Sequence, residues 1–207
     1  MTLSEHIFIF CQKMNSSVTV SRKQLNATPD VKILEQLFNQ LFRETENTIL
    51  RSGAEEPLYM PSEDSAGVNI IHSTRDYFSS ALHEISHWCI AGEARRKLLD
   101  FGYWYEPDGR SKEQQGLFEQ VEVKPQALEW LFTEACGQGF RLSVDNVNQP
   151  EMQASNEFRK AVYTQTLCYL NQGLPKRAAL FLNALLRHFQ PDKPVLEADC
   201  FQLNRLK

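Results

Sequence analysis

Hydrophobic residues recur three and four positions apart along several stretches of the chain, which is the spacing of amphipathic helices. The clearest stretch begins at Pro29, with Thr28 as the expected cap, and repeats through Phe42. Another ends close to Gly92, a residue placed to stop a helix. The predicted helices cover residues 29–42, 76–91, 93–100, 112–136, 151–170 and 175–189.

Three short segments between the first two helices have an extended pattern and are bounded by turns that contain glycine or serine. They cover residues 48–51, 57–60 and 68–72. Together with the helices they predict one α+β domain over residues 29–207, mostly helical, with a small sheet beside the helix over 76–91. Residues 1–28 show no sustained period and are expected to form a poorly ordered or peripheral N-terminal arm.

The composition argues against several classes of function. The net charge is −4, and the basic groupings at 95–97 and 176–177 do not form the Lys/Arg stripe of a nucleic-acid binder. No stretch has the apolar length of a membrane span. The five cysteines are widely spaced without a C-x-x-C pair, which fits a reducing compartment. We therefore expect a cytoplasmic protein without direct contacts to nucleic acid or a membrane, and we expect it to be monomeric.

The segment His-Glu-Ile-Ser-His at residues 83–87 is the strongest indication of chemistry. Residues four apart on a helix point from one face, so His83 and His87 can bring two imidazoles to one metal ion. Glu84 between them could act as the general base of a zinc peptidase, or orient a ligand or bound solvent in an oxygenase. The alternative is a helix whose histidines only pack or hydrogen-bond, which the rarity of this pattern disfavours.

Two histidines alone hold a divalent ion poorly, so we expect a third ligand from another element. No later histidine has the required spacing, which favours a carboxylate on the helix over 112–136. Glu122 lies about 110° from the apolar centre of that helix and Glu119 about 170°, so Glu122 is the more inward-facing candidate. The apolar face is assigned to Leu117, Val121, Leu128, Phe132 and Ala135. The alternative is that both carboxylates are solvated.

Two imidazoles and one carboxylate serve two known chemistries. Zinc in such a site activates a water molecule for peptide hydrolysis, and Fe(II) with open positions activates dioxygen. A non-catalytic module stabilised by a fully coordinated metal is a third reading. The residue types do not decide among the three.

The run HEISHWCIAGEARRKLLDFGYWYEPDGR, followed by FEQVEVKPQALEW, resembles the bacterial elongation factor P hydroxylase family over roughly residues 31–190. The resemblance implies a hydroxylase of the β-lysylated lysine of translation elongation factor P. It implies a divalent metal, with Fe(II) expected although zinc or another ion could replace it, and dioxygen as co-substrate. His83 and His87 match the family's metal-binding histidines, and both Glu119 and Glu122 lie in the second block. The family is unlike the oxygenases that use 2-oxoglutarate, so none is expected.

A hydroxylase of a long cationic side chain needs a slot with acidic or aromatic walls. Tyr103, Tyr105 and Asp108, which lie close to the turn predicted at 107–110, are candidates for these walls. His72 precedes the metal-binding helix and is a further candidate. The alternatives are core packing for the aromatic residues and a structural role for His72.

Overall fold

The computed structural model of the protein describes residues 29–64, 66–102, 110–144 and 153–206. The predicted N-terminal arm lies outside the described residues, and so do Tyr103, Tyr105 and Asp108. The helices are α1 (Val31–Glu46), α2 (Phe78–Ile90), α3 (Lys112–Ala135), α4 (Asn156–Gln172) and α5 (Lys176–Phe189). The strands are β1 (Thr48–Ala54), β2 (Leu58–Met60) and β3 (Asn69–Thr74). Short 3₁₀ turns cover Arg95–Lys97, Leu99–Gly102, Ala198–Cys200 and Leu203–Arg205.

The three strands form one sheet in the order β1-β3-β2, with β3 parallel to β1 and antiparallel to β2. The central positions Leu50, Tyr59 and Ile71 are buried, so one face of the sheet joins the core. The prediction of a mostly helical α+β domain with a small sheet is therefore confirmed. None of the helices in the described part of the chain is both long and apolar enough to span a membrane.

Helix α2 runs through the centre of the core. Trp88 has no exposed surface, and its ring lies 4.9 Å from the ring of Phe38 and 4.8 Å from that of Phe42, both on α1. Leu82 and Ile85 on the same helix are also fully buried. Because aromatic and aliphatic packing anchors α2 on several sides, its histidines have a defined position along the neighbouring helix α3.

The start of α1 differs from the sequence prediction. Asp30, rather than Thr28, caps the helix, and its carboxylate accepts a hydrogen bond from the backbone N–H of Lys32 at 2.9 Å. Aspartate is a better cap than threonine because its charge also complements the positive end of the helix dipole.

The prediction of a helix over 93–100 is also wrong, since 3₁₀ turns stand in its place. Asp100 and Phe101 adopt left-handed backbone conformations, with φ of 48° and 59°, which a continuous α-helix excludes. Tertiary contacts hold this turn. The backbone N–H of Tyr59 donates to the Asp100 carboxylate at 2.8 Å, and the Tyr59 and Phe101 rings stack at 4.3 Å.

Helix α3 has the predicted length but a different buried face in its first half. Leu117 and Val121, assigned to the core, are 64% and 45% exposed, whereas Phe118 and Glu122 are buried. The prediction assumed that apolar residues alone turn inward. The inward face of α3 instead carries buried polar side chains that have partners on α2 and in the segment after α3.

Candidate metal centre

Three side chains from α2 and α3 converge where the two helices pack together. His83 and His87 project from adjacent turns of α2, and Glu122 projects from α3 toward both. Their ligand atoms all lie within 4.8 Å of one another, so the group could hold a metal ion. Glu122 is 1% exposed and the histidines are half-buried, which leaves the imidazole side as the more accessible one.

The distances among these atoms fit a shared ion. The two histidine Nε2 atoms are 3.1 Å apart, and Glu122 lies 3.2 Å from His87 Nε2 and 3.6 Å from His83 Nε2. Ligands at about 2.1 Å from a metal are about 3.0 Å apart in octahedral and about 3.4 Å apart in tetrahedral geometry. The donor set of two imidazole nitrogens and one carboxylate therefore fits a divalent ion with little rearrangement.

Glu129 sets the orientation of His83. Its carboxylate lies 2.9 Å from His83 Nδ1, one turn beyond Gln126 on the inner face of α3. An ionised carboxylate can only accept a hydrogen bond, so His83 Nδ1 carries the proton and donates it. The Nε2 atom is then left to face His87 and Glu122. This carboxylate–imidazole arrangement is the usual support of a metal-binding histidine.

Gln126 holds Glu122 from the next turn of α3. Its amide nitrogen lies 3.3 Å from a Glu122 carboxylate oxygen and also donates to the backbone carbonyl of Ser143 at 2.7 Å. The Gln126 amide oxygen accepts the Ser143 N–H at 3.0 Å. Because both ends of this amide are engaged, Gln126 cannot rotate freely, and it fixes the direction of the Glu122 carboxylate.

Glu119, the alternative third ligand, has a different set of contacts. Its carboxylate accepts hydrogen bonds from the Ser155 hydroxyl at 2.5 Å and the Ser155 backbone N–H at 3.2 Å. Ser155 is the cap of α4 and accepts the N–H of Phe158. Glu119 therefore ties α3 to the start of α4, and it is not one of the three residues whose ligand atoms converge.

The charges of the converging groups depend on one another. Burial lowers the pKa of His83, but the carboxylates of Glu122, Glu129 and Glu84 outweigh it and raise that pKa to about 10. Burial raises the pKa of Glu122, and the two histidines and Gln126 outweigh it and lower that pKa to about 2. The metal-free site therefore holds a protonated His83 at neutral pH, and a metal ion must displace that proton.

Glu84 and His72 are not among the three side chains whose ligand atoms converge. Glu84 is half-buried, and burial raises its pKa further than the two histidines lower it. In the ranges that the structure describes, no hydrogen bond to its carboxylate is present. His72 lies in the centre of the sheet, where it pairs with Arg51 and Leu58 on the flanking strands. No hydrogen bond or ion pair joins His72 to the α2 histidines within those ranges.

Sequence reasoning assigned no role to two supporting residues, Gln126 and Glu129, although Glu129 is one of the carboxylates of this helix. Both follow Glu122 on α3, at offsets of four and seven, which are the offsets that return a helix to the same face. A run of Glu, Gln and Glu at this spacing was therefore a usable signal. It was overlooked because the face was assigned from apolar residues, and a polar stripe in the core is costly unless partners elsewhere satisfy it.

Comparison with known proteins identifies a family for the chain. The family model for elongation factor P hydroxylase matches residues 37–201 of the chain. A protein of Haemophilus influenzae named elongation factor P lysine hydroxylase is 49% identical over 159 residues, which cover 77% of this chain and 89% of that protein. Both matches include the segments that carry the two histidines and the carboxylate that converge.

We predict that His83 stays protonated well above neutral pH in the metal-free protein. Its folded-state pKa of about 10 exceeds the ordinary value of 6.5, so its protonation stabilises the fold fully below pH 6.5 and not at all above pH 10. Replacing Glu129 with Gln should lower this pKa. NMR titration of the histidine rings measures both values, with His188, whose pKa burial lowers, as the internal reference. A His83 that titrates near 6.5 in the wild-type protein would contradict the prediction.

Proposed function

The chain belongs to the elongation factor P hydroxylase family, and we propose that it hydroxylates a lysine side chain of elongation factor P with the help of a bound metal ion. The observation that carries the proposal is the convergence of two imidazoles and one buried carboxylate within a chain that matches this family. The lysine is the β-lysylated residue of elongation factor P, the metal is Fe(II), and no 2-oxoglutarate takes part. We place the reaction in the cytoplasm and expect the enzyme to be monomeric.

His83, His87 and Glu122 would hold the ion. Fe(II) bound by such a set would supply the chemistry that activates dioxygen. The protein contributes geometry. Glu129 keeps His83 Nδ1 protonated and its Nε2 directed at the other two ligands. The same contact helps to keep the ring in place when the site is empty.

Glu84 would act beside the metal rather than as a ligand. Its position between the two histidines and its half-buried carboxylate suit a group that orients substrate or a bound solvent molecule. Tyr103, Tyr105 and Asp108 remain our candidates for the wall of the lysine slot, and His72 is a further one. A zinc peptidase, in which Glu84 would be the general base, has the same residue pattern but is disfavoured by the family to which the chain belongs.

The proposal is tested by the intact mass of β-lysylated elongation factor P after incubation with the Fe(II)-loaded protein, dioxygen and a chemical reductant. We expect the mass to rise by that of one oxygen atom, and the added oxygen to map to the lysine. Omission of dioxygen and the variant His83→Ala serve as controls, and both should leave the mass unchanged. Wild-type protein that leaves the mass unchanged with Fe(II), and cleaves peptides with Zn(II), would overturn the assignment.

Replacing the two candidate carboxylates should have unequal effects on metal binding. Glu122→Ala removes the one carboxylate that, among the residues the structure describes, forms ion-pair contacts with both histidines, so we expect its Fe(II) affinity to fall roughly ten- to a hundredfold or more. Glu119→Ala should keep the wild-type metal content and lose some stability through its bonds to Ser155. Metal analysis after dialysis measures the difference, and the reverse order would make Glu119 the ligand.

Glu84→Gln separates the two enzyme classes. A peptidase that loses its general base loses a factor of roughly 10² to 10⁴ in rate. A hydroxylase draws its oxidising power from the metal and dioxygen, so the variant should keep its metal and retain measurable hydroxylation. Turnover on elongation factor P at saturating Fe(II) gives the answer. Loss of all turnover with full metal content would show that Glu84 transfers an essential proton.

A further inference from the structure

The C-terminal end of α2 lacks the left-handed glycine cap that closes many helices. The helix ends at Ile90, Ala91 is extended with φ −63° and ψ 122°, and Gly92 does not adopt the left-handed conformation of a glycine cap. The Ala91 N–H still bonds the His87 carbonyl at 3.0 Å. The carbonyls beyond it have no partner within the helix and need one from elsewhere.

Arg177 on α5 supplies that partner. One of its terminal guanidinium nitrogens lies 2.8 Å from the carbonyl oxygen of Trp88, 3.3 Å from that of Cys89 and 2.5 Å from that of Ala91. The guanidinium also lies over the Trp88 ring, 4.5 Å from its centroid. A cation at this position complements the negative end of the helix dipole, so one side chain closes the last turn of α2.

Arg177 is in turn held by Glu46 at the end of α1. The Glu46 carboxylate lies 3.7 Å from Arg177 and 2.7 Å from Arg96, whose backbone carbonyl accepts the Tyr59 hydroxyl at 2.8 Å. The side chains of the three charged residues are between 13% and 29% exposed. The cluster thus joins α1, α5 and the 3₁₀ turn Arg95–Lys97 that follows α2.

This cluster is an inefficient way to stabilise a core. Three buried N–H groups, the Nε atoms of Arg96 and Arg177 and the Trp88 indole nitrogen, have no hydrogen-bond partner among the described residues. Buried charges with incomplete partners contribute little net stability, and apolar residues of similar size often stabilise as well or better. The presence of such a cluster at the end of one helix therefore indicates a role in geometry.

We infer that Arg177 is a positioning residue for the metal centre, acting through the last turn of α2. His87 lies in that turn, whereas His83 lies one turn closer to the middle of the helix. Fraying of the last turn therefore displaces the His87 imidazole from Glu122 and leaves the His83–Glu129 contact in place. The inference rests on the proposed function only in that the three converging side chains bind a metal.

The test compares Arg177→Lys with Arg187→Lys. Lysine keeps the charge next to Glu46 but cannot span three carbonyls or stack flat on Trp88. Arg187 is a matched control because it lies on the same helix, is exposed, and its Nε donates to the Asn183 carbonyl of that helix. Titration with Co(II) should show an affinity roughly tenfold or more lower for Arg177→Lys, with an altered absorption spectrum, and no change for Arg187→Lys.

Hydrogen exchange of the metal-free protein provides a readout that does not depend on the metal. Arg177→Lys should speed exchange at the amides of residues 88–91 while the rest of the core keeps its protection. If that variant fails to fold, Glu46→Gln, which loosens Arg177 without touching α2, should show the same two effects more weakly. Unchanged Co(II) affinity, or exchange that rises evenly along the chain, would overturn the inference. Wild-type protein that binds no metal would overturn the proposed function. Faster exchange at residues 88–91 in Arg177→Lys would still show that Arg177 caps α2.

Discussion

The contact between α2 and α3 is the constraint on which the rest of the structure depends. Two amphipathic helices normally pack through apolar side chains alone, but here the inner face of α3 carries Glu122, Gln126 and Glu129 into the interface. Burial of the two carboxylates is tolerated because α2 presents an imidazole to each at hydrogen-bond distance, and Gln126 bonds the backbone of Ser143. The metal centre and the helix packing are therefore one feature of the fold.

This arrangement requires that the residues around the metal centre hold its side chains in place. The histidines and carboxylates must keep their separations with and without an ion, and like or unlike charges at 3 Å are sensitive to small displacements. Trp88 packs α2 against the Phe38 and Phe42 rings of α1, while Gln126 is fixed at both ends by Ser143. Positioned ligands with engaged partners are what distinguish a metal centre from a chance group of polar residues.

The family and the geometry support the proposed reaction in different ways. The relative's name supplies the substrate, a lysine of elongation factor P, which no distance in the site could have indicated. The geometry supplies a metal-binding set and its supports, about which the name says nothing. The role of Glu84 needs both kinds of evidence. Its place beside His83 suits a peptidase as well as a hydroxylase, and only the family favours the hydroxylase.

Local sequence by itself determined α2, the three later helices α3, α4 and α5, and the small sheet, because these follow from periodicity and turn residues. It also determined that His83 and His87 share a face, since residues four apart share a face on any helix.

Tertiary structure decided which carboxylate meets these two histidines. The phase of α3 was misjudged at Leu117 and Val121 because polar residues such as Glu122 gain from burial only when a partner lies opposite, and that partner is 35 or more residues away in the chain. The turn at Asp100 and the cap by Arg177 have the same origin, since each depends on contacts between segments distant in the chain, and no local pattern encodes such contacts.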